Sequence, residues 1–361
     1  MAISIIDHSK AIASKIVGKF EETIPVRSGF GDWFPEETTP TLEVDVEVQR
    51  GTDDIAIDVV RFTEGNKNKM SKITEHKYQP PYFKEDYDFQ RDQVYMNTIA
   101  LGVGMESAQV NQVIAMNALK AVNKNRAKIE RAIRKQQADV LQDGIVRLSN
   151  GDNIDYRRKA ESMVNVSVGG NYWGTSATAT PMIDIRKGMD FLRDVGQSGG
   201  SAVNVVMRSK AYEAMIKTDE IKTQGVNTII RRVDIGMPEF NGVSGFSFKG
   251  QIDGGDFAVN LWTYNEKYTD ANGATQHYLA ENQVVMMPDD FQGKTVYGGL
   301  AIMRQANVNG TTVMVPGVQE AMYLVRGYSD EKLMSSTLEL QSAPLVIPFT
   351  IDKIYTMQVF A

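Results

Sequence analysis

The sequence predicts a mixed α+β fold built around one long helix, and three observations carry that expectation. Residues 107–143 contain neither glycine nor proline, whereas Gly102 and Gly104 precede them and Gly144 follows, so helix breakers stand only outside the ends. Residues 42–49 alternate apolar and polar side chains, the period of a half-buried strand. Between about residues 181 and 310, helical and strand-like stretches take turns, the texture of a separate mixed α/β unit.

Within the long stretch, apolar side chains recur at helical spacing through Val110, Val113, Ile114, Ala118, Ala121, Val122, Ile129, Ile133, Val140 and Leu141, which marks one buried stripe. A helix of this length spans roughly 50 Å, more than a compact domain needs, so it reads as the spine of an elongated subunit rather than the wall of an active site. Its flank carries Lys120, Lys124, Arg126, Lys128, Arg131, Arg134 and Lys135 against Glu130 alone, while residues 36–58 are rich in acids. Charge complementarity between subunits and an ordinary solvated helix face both account for that pattern.

In chain order, residues 4–22 form an amphipathic helix on the spacing of Ile5, Ile6, Ile12, Ile16 and Phe20, placed as an arm. Phe34-Pro35 and Thr38-Thr39-Pro40 break regular structure before Leu42, Val44, Val46 and Val48 begin the first strand. Arg50 to Asp53 reads as a turn, with Ile55, Ile57 and Val59 as the hairpin partner, and Glu64 to Lys69 is too polar to pack, as befits the tip of a projection. Tyr78 to Lys84 anchors the chain again with prolines and aromatics. Beyond the spine come a turn at Asn150 to Asn153, a strand at Met163 to Val168 and the glycine-rich Gly169 to Gly174. Helices at Pro181 to Asp194 and Ser209 to Lys217 then alternate with strands at Val203 to Met207, Phe257 to Tyr264 and Val284 to Pro288. Strand-like segments at Leu338 to Pro348 and Ile354 to Phe360 follow.

Composition narrows the function. A chain of 361 residues, 42% hydrophobic, can bury a real core in two or three units. No apolar run approaches a membrane span, and Met1 to Lys10 lacks the basic and apolar regions of an export signal, so a soluble protein is expected. With no cysteine there is no disulfide, thiolate metal site or cysteine nucleophile. A net charge of −6 argues against wrapping nucleic acid by phosphate neutralisation.

Motifs of chemistry are missing as well. His8, His76 and His277 are the three histidines and stand in unrelated contexts, and no metalloprotease, nucleophile-elbow or phosphate-loop pattern occurs. Gly102-Val103-Gly104 lacks the third glycine of a dinucleotide fingerprint, Ser107 standing in its place, and reads as a hinge. Asp270-Ala271-Asn272-Gly273 has its glycine at the wrong position for a calcium loop and reads as a hairpin turn. Trp33, Trp173 and Trp262 read as packing anchors. No catalytic, cofactor-binding or metal-ligating residue is expected.

Several blocks, taken together, carry a resemblance: Phe34-Pro35 with Thr38-Thr39, Tyr78 to Lys84, Trp173-Gly174, Thr180 to Ile185 and Val203 to Met207. The most specific are Tyr268 to Gly273, Tyr278-Leu279, Val284 to Pro288, Tyr297-Gly298 and Gln341 to Leu345. In order and spacing they resemble the major capsid proteins of tailed phages, within them the lambda major capsid protein E family. The resemblance implies the Hong Kong 97-type capsid fold, an icosahedral head enclosing double-stranded DNA, no enzymatic activity and location in the virion after assembly in the host cytoplasm. It implies an N-terminal arm at 1–41, an extended loop at 42–84, a peripheral domain from 85–180 with 321–361, and an axial domain at 181–320. The partners it implies are further copies in pentamers and hexamers, with separate scaffolding, portal and decoration proteins, and no membrane. An encapsulin-like cargo shell on the same fold is the competing expectation. An enzyme using 181–320 has no motif in its favour.

Overall fold

Helix α1 (Ser107–Asp143) runs 37 residues on the bounds that the missing glycines and prolines set for it, roughly 55 Å at about 1.5 Å per residue. The computed structural model describes residues 26–48, 74–89, 107–148, 151–166, 172–174, 178–226, 233–253, 258–308, 311–330 and 335–360. Ala121, Ile129, Ile133, Val140 and Leu141 of the expected stripe are buried, while the side chains of Val110, Val113 and Ile114 lie outside the described ones. Gly144 ends the helix at φ +75, its N–H donating to the Val140 carbonyl at 2.9 Å, the left-handed stop that favours glycine.

Ahead of α1 the chain forms a 3-10 turn (Gly29–Trp33), β1 (Glu36–Thr38), β2 (Val44–Val48), β3 (Thr74–Tyr78) and β4 (Phe83–Phe89). After it come β5 (Ile145–Arg147), β6 (Asn153–Asp155), β7 (Met163–Asn165), α2 (Pro181–Asp194), β8 (Ala202–Met207), α3 (Ser209–Lys217) and α4 (Asp219–Val226). The chain continues through β9 (Val233–Phe240), β10 (Phe246–Asp253), β11 (Ala258–Tyr264), β12 (Lys267–Thr269), β13 (Thr275–His277), β14 (Gln283–Pro288) and β15 (Gly293–Tyr297). Last are β16 (Leu300–Val308), β17 (Thr311–Gln319), β18 (Leu324–Asp330), β19 (Ser335–Ser342), β20 (Pro344–Pro348) and β21 (Tyr355–Gln358).

The largest sheet has seven strands in the order β7-β21-β14-β8-β11-β10-β9. Its centre is apolar on both faces, as a sheet covered on two sides must be. Val206, Val285 and Met287 join the core that holds Ile129, Ile133 and Leu141 of α1. Val203, Val205, Met207, Val284 and Met286 turn the other way, onto Ile185, Met189 and Leu192 of α2 and Ala211 and Met215 of α3. One sheet therefore separates two cores. Gly188 lets α2 lie close to it, since a Cβ there would stand 2.6 Å from Met286 Sδ and 2.8 Å from the Tyr355 ring. Among the described residues, smaller sheets order as β1-β15-β20 and β18-β19-β4, and β2/β3, β5/β6, β12/β13 and β16/β17 are two-stranded.

Several elements differ from the sequence expectation. The partner of β2 is β3, Val44 opposite Tyr78 and Val48 opposite Thr74. The expected partner at 55–59, the turn at 50–53, the tip at 64–69, the arm helix at 4–22 and the hinge at 102–104 all lie outside the described residues. Glu36 to Thr38, where only a break was expected, is a strand parallel to β15, and Phe30 and Phe34 beside it are fully buried. The expected strand from Leu338 to Pro348 divides at Ala343 into β19 and β20, which join different sheets. The α/β unit draws β7 and β21 into its sheet from outside the 181–310 stretch.

The stripe can be tested directly. Ile133→Asp puts an unpaired carboxylate in a site only 1% exposed, at a cost of several kcal/mol against a total stability of about 5–15. Soluble, cooperatively melting protein is expected to disappear, while Leu119→Asp on the exposed side of the same helix leaves the melt unchanged. Equal melting curves for the two variants would refute the assignment.

Candidate functional site

The C-terminal end of α1 is tied to the body by one buried guanidinium. Arg158 donates from Nε to Ser162 Oγ at 2.8 Å, and at 3.0 Å each from its two terminal nitrogens to the carbonyls of Leu141, Gln142, Ser162 and Ile354. All five donors of the group are used. Two of those carbonyls belong to the last turn of α1, where helices leave acceptors unsatisfied, and the Ile354 carbonyl leads directly into β21. Burial pushes the pKa down to about 10, which leaves the group charged at neutral pH. Gly144 makes the approach possible, since a Cβ there would sit 3.0 Å from Arg158 Cβ.

Polar residues on the stripe complete the joint. Gln142 donates to the Ala138 and Tyr278 carbonyls at 3.0 and 2.9 Å and accepts from Ala280 N at 2.7 Å. Gln137 accepts from Arg134 at 3.0 Å and donates to Thr295 Oγ1 at 3.1 Å, and Thr295 Oγ1 lies 3.4 Å from the Phe34 carbonyl. These residues were not singled out from sequence. A glutamine four residues after Ile133 and four before Leu141, on an otherwise apolar stripe, is the signal that points to them. A second buried arrangement lies on the opposite side of the large sheet. Trp173 Nε1 donates to Asp184 Oδ2 at 3.1 Å, and Glu220 Oε2 accepts from Met182 N at 2.9 Å, so two carboxylates sit at the start of α2. Burial raises the pKa of both, against the indole hydrogen bond and Lys187 for Asp184 and the Met182 amide for Glu220.

The basic flank of α1 is largely engaged within the chain. Arg126 pairs with Glu130 at 2.8 Å, Lys128 with Glu85 at 2.7 Å and Lys135 with Asp139 at 2.6 Å. On the acidic side, Glu37 takes Lys294 at 2.6 Å and Glu36 accepts from Tyr297 at 3.1 Å. Lys120 and Lys124 stand exposed. The loop at Asp270 is a hairpin turn between β12 and β13, Asp270 Oδ1 accepting from Asn272 N and Ala274 N at 2.9 Å. His76 and His277 occupy separate two-stranded sheets, and His8 lies outside the described residues. Among the described residues no group of three His, Asp or Glu is placed to hold a metal, and no helix is long and apolar enough to cross a membrane. Trp173 is fully buried, and Trp33 and Trp262 pack against the α1 core.

The family model for phage major capsid protein E matches residues 21–359. This chain belongs to that family. It is a major capsid protein, a subunit of the shell of a phage head, and its place is the virion. Among solved structures, a prophage capsid protein of E. coli CFT073 matches at 17% identity, over 99% of each chain, with a TM-score of 0.57. The mature capsid of bacteriophage PhiM1 matches at 10% identity over 94% of this chain and 90% of that one, with a TM-score of 0.50. At such identities the likeness is one of fold, the Hong Kong 97-like capsid fold. The SrpI encapsulin of Synechococcus elongatus, 12% identical over 97% and 95% of the chains, reaches 0.45, too low to carry an argument. No curated protein matches the sequence.

Two measurements probe the interior of this capsid protein. Arg158→Met leaves buried carbonyls without donors and should cost about 3–5 kcal/mol, seen as a fall in melting temperature on the order of 10 °C. Arg158→Lys, with a different geometry and fewer donors, should recover only part of the loss; a wild-type melt for either variant would overturn the role assigned here. Because the folded pKa values of Asp184 and Glu220 lie above their unfolded ones, the native state binds more protons, so their contribution to stability falls as pH rises from about 4 through the raised values. Asp184→Asn is expected to flatten that slope in urea titrations between pH 4.5 and 7. An unchanged slope would count against it.

Proposed function

We propose that the shell subunit is divided as its family resemblance implies: an arm at 1–41, an extended loop at 42–84, a peripheral domain from 85–180 with 321–361, and an axial domain at 181–320. Copies meet as pentamers and hexamers in the host cytoplasm, with separate scaffolding, portal and decoration proteins, and the closed head encloses DNA. The observation that carries the loop assignment is the β2/β3 pair. It is two-stranded among the described residues, and a lone hairpin is marginal in water and needs cover from elsewhere. The intervening segment contains the polar run from Glu64 to Lys69, unsuited to the subunit's own core. A neighbouring subunit supplies the cover in this reading.

Replacing residues 49–73 with Asn-Gly keeps the β2/β3 register on a two-residue turn and removes the reach. The variant is expected to melt like wild type yet to run as small species in size-exclusion chromatography; normal particles would exclude the assignment.

Confinement, not affinity, holds the genome in this account. A chain of net charge −6 repels a polyanion at long range, and the exposed Lys120 and Lys124 act only within a screening length of about 8–10 Å. Nuclease-treated subunits, given scaffold where needed, should therefore form particles. Particles that appear only after nucleic acid is returned would reverse this conclusion and make the basic flank a template contact.

A further inference from the structure

Asparagine stands directly before glycine at 150–151, 241–242, 272–273 and 309–310, and the fold does not treat these pairs alike. Such an asparagine loses its side-chain amide when the glycine nitrogen attacks Cγ, an approach that no Cβ on the following residue obstructs. The nitrogen must be free to attack. Gly151 N–H is tied to the Leu148 carbonyl at 3.2 Å and Gly273 N–H to the Asp270 carbonyl at 3.0 Å. Gly242 N–H donates to no group among the described residues, and a Cβ at Gly242 would meet nothing within 4 Å. Asn309 and Gly310 lie outside the described residues.

Asn241 is also posed for the reaction. It opens the turn between β9 and β10, where its N–H donates to the Phe246 carbonyl and its own carbonyl accepts from Gly245 N, both at 2.8 Å. Its Oδ1 accepts from Val243 N–H at 3.0 Å and Ser244 N–H at 3.3 Å. An Oδ1 that reaches the amides two and three residues on folds the carboxamide back over the peptide between, whose nitrogen is the attacking one. The same two amides then face the oxygen on which negative charge develops as Cγ becomes tetrahedral. Asn241, Gly242 and Val243 are exposed, so water reaches the site and ammonia leaves it.

We propose that Asn241 is a site of spontaneous covalent modification, reacting ahead of Asn150 and Asn272. The bond from Gly242 N to Asn241 Cγ forms, the Cγ–Nδ2 bond breaks, and Nδ2 leaves as ammonia after taking up the Gly242 proton. Water then opens the cyclic imide at either carbonyl. One product is aspartate; the other is isoaspartate, in which the main chain runs through Cβ. No electron is gained or lost, and one water is consumed for each ammonia released. The change falls on a clasp: Val243 and Ser244 carbonyls hold Ser28 N and Gly29 N at 2.9 and 3.1 Å, next to the buried Phe30. An extra main-chain carbon in this turn displaces both carbonyls and loosens residues 28–29.

Purified chain is held at pH 8, folded or unfolded in urea, and mapped by peptide mass spectrometry. In the folded chain Asn241 is expected to convert roughly tenfold faster than Asn150 or Asn272, on the scale of correctly placed amide donors, and in urea the three rates should converge. Folded chain in which Asn241 stays intact, or reacts no faster than Asn272, would overturn the proposal. Gly242→Ala, which adds a methyl group in open space, should melt as wild type and keep Asn241 intact; conversion at the wild-type rate would count against the attacking nitrogen. Aged wild-type chain is expected to acquire a tryptic end at Ser28 that aged Gly242→Ala lacks. Converted chain that resists trypsin after Arg27 as fresh chain does would refute the loosening of the clasp.

Discussion

Everything in this subunit depends on how the last turn of a 37-residue helix is finished inside the protein. A helix end exposes carbonyls, and a buried end needs donors for them. Water cannot supply them here, so Arg158 does, spanning from the Leu141 and Gln142 carbonyls to Ser162 and Ile354. A charged group in such a place is costly alone and tolerable only when every donor is matched. The arrangement therefore acts as an all-or-nothing lock between helix and sheet, holding a lever arm at a set angle.

Around that lock the large sheet works as a partition. Val206 and Val205, neighbours in sequence, face different cores, so the central strands are covered on both faces and the helices on either side need not touch each other. Aromatic packing adds a second attachment, Phe30 lying edge-on to Tyr264 and Phe246 at centroid distances of 4.9 and 5.4 Å. Phe30 and Phe34 are thereby held by the same core as the helix. For a shell subunit this gives a rigid centre from which the ribbons extend.

Much of this was legible from residues alone where the signal is local. The bounds of α1 follow from missing glycines and a terminal Gly144, and β8 from an unbroken apolar run. What was not legible is pairing. Alternation at Val44 to Val48 specifies a strand but not its partner, and Thr74 to Tyr78 holds four polar or charged residues in a row, Thr74, Glu75, His76 and Lys77, that hide its strand character. Glu36 to Thr38 forms a strand only because β15 is there to pair with it. Arg158 was invisible for a different reason: between Arg157 and Lys159 it looks like part of a solvated charge cluster, and only the fold reveals that its neighbours face water while it does not. Gln137 was within reach, being a polar residue on an apolar stripe.

The order of the large sheet also sets a clock on folding. Strand β21, residues 355–358, lies between β14 and β7, so a strand made late joins two made nearly 200 and 70 residues earlier. Until it arrives, Val284 and Met286 of β14 lack their neighbour on that side and β7 lacks the one strand it pairs with among the described residues. Such long-range closure is slow, and in a growing chain it can happen only after the strand has left the ribosome. A nascent subunit is thus kept from completing its core, and with it the surfaces that face other copies, which separates synthesis from association in time.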